Sequence, residues 1–262
     1  MAWVKFVGCV ASLVFGLAWS SHAGAVQVAD KDFGFELAPD DATVCVSFPK
    51  EQQDPKACAG VDVESVNARL STIQGGSGEL KPVSAMVVRA GKSFYVVLVM
   101  HNGKTHEEFS KEAARALARS GRAARRVTYG EAAFPAEDDV DPTEMRINGV
   151  QVIRYELAPR LNADDPRRIM SYQLQYFAAT GRGNYSIGFF ASPEDVNTVN
   201  VLAQRAMATL RAPPGAASSH VAESDAALYA AEAFGAVVAF SIGLFLVVRS
   251  RNRRLKPAPP VA

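Results

Sequence analysis

Asn148-Gly149-Val150-Gln151-Val152-Ile153-Arg154-Tyr155-Glu156 is the stretch whose reading decides the fold. Asn-Gly adopts positive φ at both centres of a tight turn whose twist matches that of paired strands. Met145-Arg146-Ile147 precedes it and Val150 to Leu157 follows, so a β-hairpin is expected. Downstream, Ile169 to Ala178 alternates Tyr172, Leu174 and Tyr176 with Ser171, Gln173 and Gln175. Thr180-Gly181-Arg182-Gly183-Asn184 then turns into a second strand, Tyr185 to Phe190. Ser192-Pro193-Glu194-Asp195 opens a closing helix, with Ser as cap, Pro in the first turn and acids at the positive end of the dipole. Val196, Val199, Ala203, Ala206 and Leu210 give that helix one apolar face.

Upstream the pattern is also mixed. Phe33 to Leu37 and Thr43 to Phe48 alternate around Pro39-Asp40-Asp41 and predict a hairpin of their own. Val63, Val66, Leu70 and Ile73 have helical spacing, ended by Gly75-Gly76-Ser77-Gly78. Val83 to Arg89 and Ser93 to Met100 are strands about Ala90-Gly91-Lys92, and the nearly unbroken apolar character of the second predicts a central strand. Thr105 caps a helix running to Ser120, with Gly121 as its stop. The expected class is α+β, an antiparallel sheet sandwiched by helices.

The Asn148-Gly149 hairpin leading to Tyr155, the strands at 172–178 and 185–190, and the Ser192 to Leu210 helix together resemble the Mog1/PsbP-like fold over roughly residues 30–211. Phe33-Gly34-Phe35-Glu36-Leu37, shortly before Pro39, is similar to its first strand. Two features depart from that pattern: the Trp often found soon after the first strand is missing, and the Cys45 to Cys58 excursion is extra. The resemblance implies an α-β-α sandwich and a non-catalytic binding or accessory module, since PsbP-like proteins are extrinsic subunits and Mog1 binds a protein partner. It supplies no catalytic residues, and a fold does not transfer a function.

The two ends of the chain predict where such a domain resides. Ala226 to Val248 is an apolar run of 23 residues followed by Arg249, Arg251, Arg253, Arg254 and Lys256. As a helix it spans about 34 Å, against a hydrocarbon core of about 30 Å. The basic cluster keeps the tail, 249–262, in the cytoplasm. Met1 to Ala25 has the layout of a secretory signal: Lys5, an apolar core from Phe6 to Ala18, and Ala23-Gly24-Ala25 as a cleavage site. The organisation expected is a signal peptide at 1–25, an external domain at 26–211, a Pro/Ala/Ser linker at 212–225 that tethers without folding, a transmembrane helix at 226–248 and a basic tail. That describes a single-pass protein of a bacterial inner membrane. Ala231, Gly235, Ala239 and Gly243 recur every four residues and form a small-residue face suited to helix–helix pairing, including homodimerisation.

Residues 26–225 hold 22 basic and 26 acidic side chains, a net of −4 that disfavours nucleic-acid binding. Cys45 and Cys58 are the cysteines of that region, and an even pair in an oxidising compartment predicts a disulfide. Other local patterns are weak. Ser47-Phe48-Pro49-Lys50 matches S-x-x-K but lies in a strand. His106-Glu107-Glu108 begins like a zincin helix with Ser110 where the second His is needed, and His101 lies five residues upstream of His106. An enzyme assembled around His101 and His106 is therefore the alternative to a binding module. Glu137, Asp138, Asp139, Asp141 and Glu144 lack the Gly and the spacing of a calcium loop and predict an exposed acidic loop. The most suggestive surface is cationic: Arg115, Arg119, Arg122 and Arg126, completed by Lys111, fall at helical spacing and suit an acidic partner or anionic headgroups. No catalytic residue, metal or cofactor is expected, and the expected partners are the bilayer and an envelope protein or ligand.

Overall fold

The computed structural model describes residues 25–217 except 40–41, 65, 69–79, 92, 104–106, 136–139 and 169. Nine strands and two long helices are defined: β1 (Val26–Asp30), β2 (Phe33–Leu37), β3 (Thr43–Phe48), β4 (Leu80–Ala90), β5 (Ser93–Asn102), α1 (Lys111–Tyr129), β6 (Thr143–Ile147), β7 (Val150–Leu157), β8 (Tyr172–Thr180), β9 (Gly183–Ala191) and α2 (Val196–Ala208). Seven strands form one antiparallel sheet in the order β3-β4-β5-β9-β8-β7-β6, and β1 and β2 form a separate ribbon.

The deciding hairpin forms as its sequence dictates. Asn148 and Gly149 have φ of 52° and 85°, and Ile147 pairs with Val150. Alternation then sorts side chains between the faces of the sheet. Tyr95, Val97, Val99, Val150, Val152, Tyr172, Leu174, Tyr176, Ile187 and Phe189 meet Val199, Leu202, Ala203 and Ala206 of α2, together with Phe33, Phe35 and Leu37 of the ribbon. On the other face Ile153, Tyr155, Leu157, Phe177 and Ala179 pack against Ala113, Ala114, Leu117 and Ala118 of α1. A third cluster on that face joins Cys45, Cys58 and Val66 to Val87, Val96, Leu98 and Phe190. The sheet therefore lies between two helical layers. β5 is central, as its apolar run predicts, with β4 and β9 on its flanks.

Several expectations are corrected. Phe33–Leu37 does not pair with Thr43–Phe48; it pairs with Val26–Asp30 around a turn at Lys31, whose φ is 51°. β2 buries Phe33, Phe35 and Leu37 on one side, whereas β3 buries consecutive residues from Val44 to Ser47 and needs cover on both faces. β3 thus belongs to the main sheet, against β4. α1 begins later and ends later than expected. Ser110, not Thr105, caps it, and the helix continues through Gly121 to Tyr129. A helical Gly costs about 1 kcal/mol, less than the burial gained from the residues on either side. Gly130, with φ 92°, is the actual stop, its N–H returning to the Arg126 carbonyl. Ser192 introduces a 3-10 turn at Pro193–Asp195 without a side-chain cap bond, and α2 starts at Val196.

The strand expected from Ile169 begins at Tyr172. Residues 63–64 and 66–68 are helical, and the remainder of the helix predicted to Ile73 lies outside the described residues. So do residues 1–24 of the predicted leader, the 226–248 span with Ala231, Gly235, Ala239 and Gly243, the basic tail, His106 and Glu137 to Asp139. Among the described residues no helix is long and apolar enough to cross a membrane.

Candidate functional site

α1 assembles the cationic surface. Because the helix does not stop at Gly121, Lys111, Arg115, Arg119, Arg122 and Arg126 share one rod. At 3.6 residues per turn the five fall within roughly 80° of arc, and from first to last they span about 22 Å. Lys111, Arg115 and Arg119 are exposed, while Arg122 and Arg126 are half-buried. Arg122 donates through Nε to the Pro135 carbonyl at 2.8 Å, and Arg126 lies 4.0 Å from the exposed Glu131. Glu112 is the single acid within the helix.

Both ends of that helix are fixed. At the start, the Ser110 hydroxyl accepts the Ala113 N–H at 3.1 Å. Gln151 receives the Phe109 N–H at 2.7 Å and donates to the Phe109 carbonyl at 3.0 Å. The buried Glu108 takes a two-pronged pair from Arg146, at 2.8 and 2.7 Å. At the far end, Arg125 is wholly buried and donates through one Nη to the carbonyls of Met170, Ser171 and Tyr172 at 2.8, 3.2 and 3.4 Å. Its guanidinium carbon lies 4.9 Å from the Tyr129 ring centre and 5.4 Å from that of Phe190. Burial lowers its pKa, partly opposed by Tyr129. Arg167 adds a bond to the Tyr129 carbonyl at 3.0 Å.

Reading the sequence for exposed cations passes over Arg125. The signal is present nonetheless: Leu117, Gly121 and Arg125 recur every four residues, which puts Arg125 on the buried face.

The segment expected to tether without folding is instead bound to the domain over its first residues. Gly34 and Arg211 exchange two backbone bonds, Gly181 N–H reaches the Pro213 carbonyl, and Gly215 N–H reaches that of Ala179. Glu108 N–H then meets the Ala216 carbonyl at 3.0 Å, so the described chain ends at Ala217 beside the start of α1.

The histidine region has a different character. His101 is buried at the end of β5, stacked on Tyr185 at 4.4 Å, with Nε2 3.0 Å from the Arg182 carbonyl. Nε2 must donate there, because a carbonyl only accepts. Nδ1 lies 3.7 Å from Asp30, whose carboxylate also accepts the Tyr185 hydroxyl at 3.0 Å. Burial lowers the His101 pKa, opposed by the Arg182 carbonyl and Asp30. Burial, with Asp30 beside it, pushes the Tyr185 hydroxyl well above its usual range. Glu107 and Glu108 lie on the approach to α1, and Glu108 is committed to Arg146. The His101 partners therefore come from the β1–β2 turn and the β8–β9 turn, not from its sequence neighbours.

Cys45 and Cys58 form the predicted disulfide. Arg89 secures the intervening loop through the carbonyls of Ala59 and Ala57, at 2.8 and 3.0 Å. Ser47, the S-x-x-K serine, is buried and donates to the Ala85 carbonyl. Beside α2 an open groove of about 330 Å³ is lined by Pro39, Tyr95, Val201, Leu202 and Arg205, and a second of about 220 Å³ follows the β1–β2 ribbon to Thr209 and Arg211. Neither is lined by His101, Glu107 or Glu108. Among the described residues no three His, Cys, Asp or Glu side chains converge as a metal site. The chain matches no family model, no curated protein and no solved structure.

Proposed function

We propose that the chain is a membrane-anchored binding or accessory module of the bacterial envelope, with the Mog1/PsbP-like topology, and that it acts through contact without catalysis. In this reading residues 26–217 face outward from the inner membrane and 226–248 hold them there. The observation that supports it best is the continuity of α1, which presents Lys111, Arg115, Arg119, Arg122 and Arg126 as one fixed cationic surface on a domain of net negative charge. A row of cations with one helical acid among them suits an anionic counterpart and attracts it from a distance. His101 has its ring enclosed and its Nε2 committed to a backbone carbonyl, an arrangement that suits fastening two turns better than shuttling protons.

The test is crosslinking in intact cells from a photoreactive side chain at position 123, an exposed alanine one turn from Arg119 at the edge of the stripe. Adducts with an envelope component, protein or lipid, are expected, and Arg115→Glu with Arg119→Glu should suppress them. A probe that captures nothing, or only a second copy of the chain, would refute a binding role for this face.

A further inference from the structure

We infer that the α1 stripe lies flat against the anionic headgroups of the same bilayer that anchors the chain, so that the domain has a fixed orientation on the membrane. The inference rests on the membrane-anchored reading above and adds which surface faces the lipid.

Three observations converge on it. First, the described chain ends at Ala217, pinned through Ala216 to Glu108, three residues before Lys111 opens the stripe. From Ala217 to the first residue of the predicted span, Ala226, nine residue steps reach at most about 30 Å. The anchor therefore enters the bilayer within about 30 Å of one end of the stripe. Second, the stripe is straight and long, about 22 Å, with its exposed members on flexible stems. A plane of headgroups satisfies such a row without a shaped complement. Third, the exposed Ala123 lies beside the stripe, about 40° of helical rotation beyond Arg119, and Val127, 85% exposed, lies about 40° further round the same side. Cations flanked by an exposed apolar side chain are the composition of a helix face seated at a headgroup boundary. Tethering raises the effective concentration of the surface, so weak individual attractions suffice. The opposite side of the sheet, with α2 and the groove at Val201 and Arg205, would then point away from the membrane toward other envelope components.

The experiment uses the full chain in nanodiscs, with Trp3→Phe and Trp19→Phe so that Ala123→Trp supplies the sole indole. Each disc carries a lipid spin-labelled at the headgroup, in phosphatidylcholine alone or mixed with phosphatidylglycerol. Quenching of the indole at position 123 should be at least about twofold stronger in the anionic discs and should fall as added salt shortens the screening length. Combined Lys111→Gln, Arg115→Gln and Arg119→Gln should bring the anionic discs to the neutral level, with the far-ultraviolet circular dichroism unchanged. Equal quenching in both lipids overturns the proposal. So does strong crosslinking from position 123 to an envelope protein in cells when lipid quenching is weak, because the stripe is then a protein-docking face. Extraction by alkaline carbonate separates the two readings: a chain washed from membranes defeats the anchoring itself, whereas a retained chain with an unquenched indole defeats only the orientation.

Discussion

Arg125→Met is the substitution that most directly probes how α1 is mounted. Arg125 is fully buried, and among the described residues no carboxylate is a hydrogen-bond partner to it. Methionine removes a charge whose burial is costly, which acts in favour of the variant. Against this, the shortest bond, 2.8 Å to the Met170 carbonyl, is charge-assisted and contributes about 1.5–3 kcal/mol. The enclosed guanidinium against Tyr129 and Phe190 contributes about 2 kcal/mol more. Met170 retains the Tyr129 hydroxyl at 3.0 Å, but the carbonyls of Ser171 and Tyr172 lose this donor in a buried setting. We expect the losses to win by about 3 kcal/mol. For a domain of this size that lowers the melting temperature by about 6–12 °C. The assay is thermal unfolding of the detergent-solubilised full chain by circular dichroism, with amide exchange followed over residues 165–171. Protection of Arg168 and Ser171, whose N–H groups bond Asp165 and Arg168, should fall first. Arg126→Met, its half-exposed neighbour, should change stability by no more than about 0.5 kcal/mol. An Arg125→Met protein as stable as the parent would refute the reasoning, because desolvation would then outweigh every bond the guanidinium makes.

Reducing the Cys45–Cys58 bridge, which spans 13 positions, should cost about 3 kcal/mol, read as a lower melting temperature in reductant and reproduced by Cys45→Ala with Cys58→Ala; an unchanged melt would contradict it. His101 has a folded pKa below its ordinary 6.5, so between the two values the unfolded chain binds the extra proton. Its contribution to stability is therefore complete above about pH 6.5 and declines as pH falls from there toward the folded value. His101→Gln should flatten that part of the melting-temperature profile, and a parent profile no steeper than the variant's would sink the assignment. Gly183 has φ 121°, and a Cβ there would collide with the Asn102 carbonyl oxygen and stand 2.6 Å from His101 Nε2. Gly183→Ala should cost more than about 3 kcal/mol in the same unfolding assay, and a near-parental melt would be inconsistent with this packing.

What the sequence makes legible follows from how each element is stabilised. The Asn148-Gly149 turn and the all-apolar β5 are local signals, and both elements form where those signals lie. The position of β3 is not local. Its alternation resembles that of β2, and only the need to cover both Val44 and Cys45 distinguishes a sheet strand from a surface ribbon. Gly121 reads as a stop because propensity is a local quantity, while the burial that carries α1 past it comes from strands distant in sequence. Residues 212–217 read as linker because Pro, Ala and Gly leave no side-chain pattern, yet their backbone pairs with Ala179, Gly181 and Glu108. The His101 site escapes for the same reason: Asp30 and Arg182 lie 71 and 81 positions away in sequence.

Arg125 and Arg126 show how position alone divides one residue type between two tasks. About 100° of helical rotation separates them. One guanidinium is enclosed against Tyr129 and Phe190, and the other reaches the surface. The first makes the second useful. Cations on a fraying helix have no lasting geometry, and their attraction to any counterpart is opposed by the entropy of ordering the helix. Here Ser110, Gln151 and Glu108 secure the start of α1, and Arg125 and Arg167 secure its end, so that cost is met in folding. Loosening the far end by Arg125→Met should therefore weaken whatever the stripe contacts, although Arg125 itself touches nothing outside the domain.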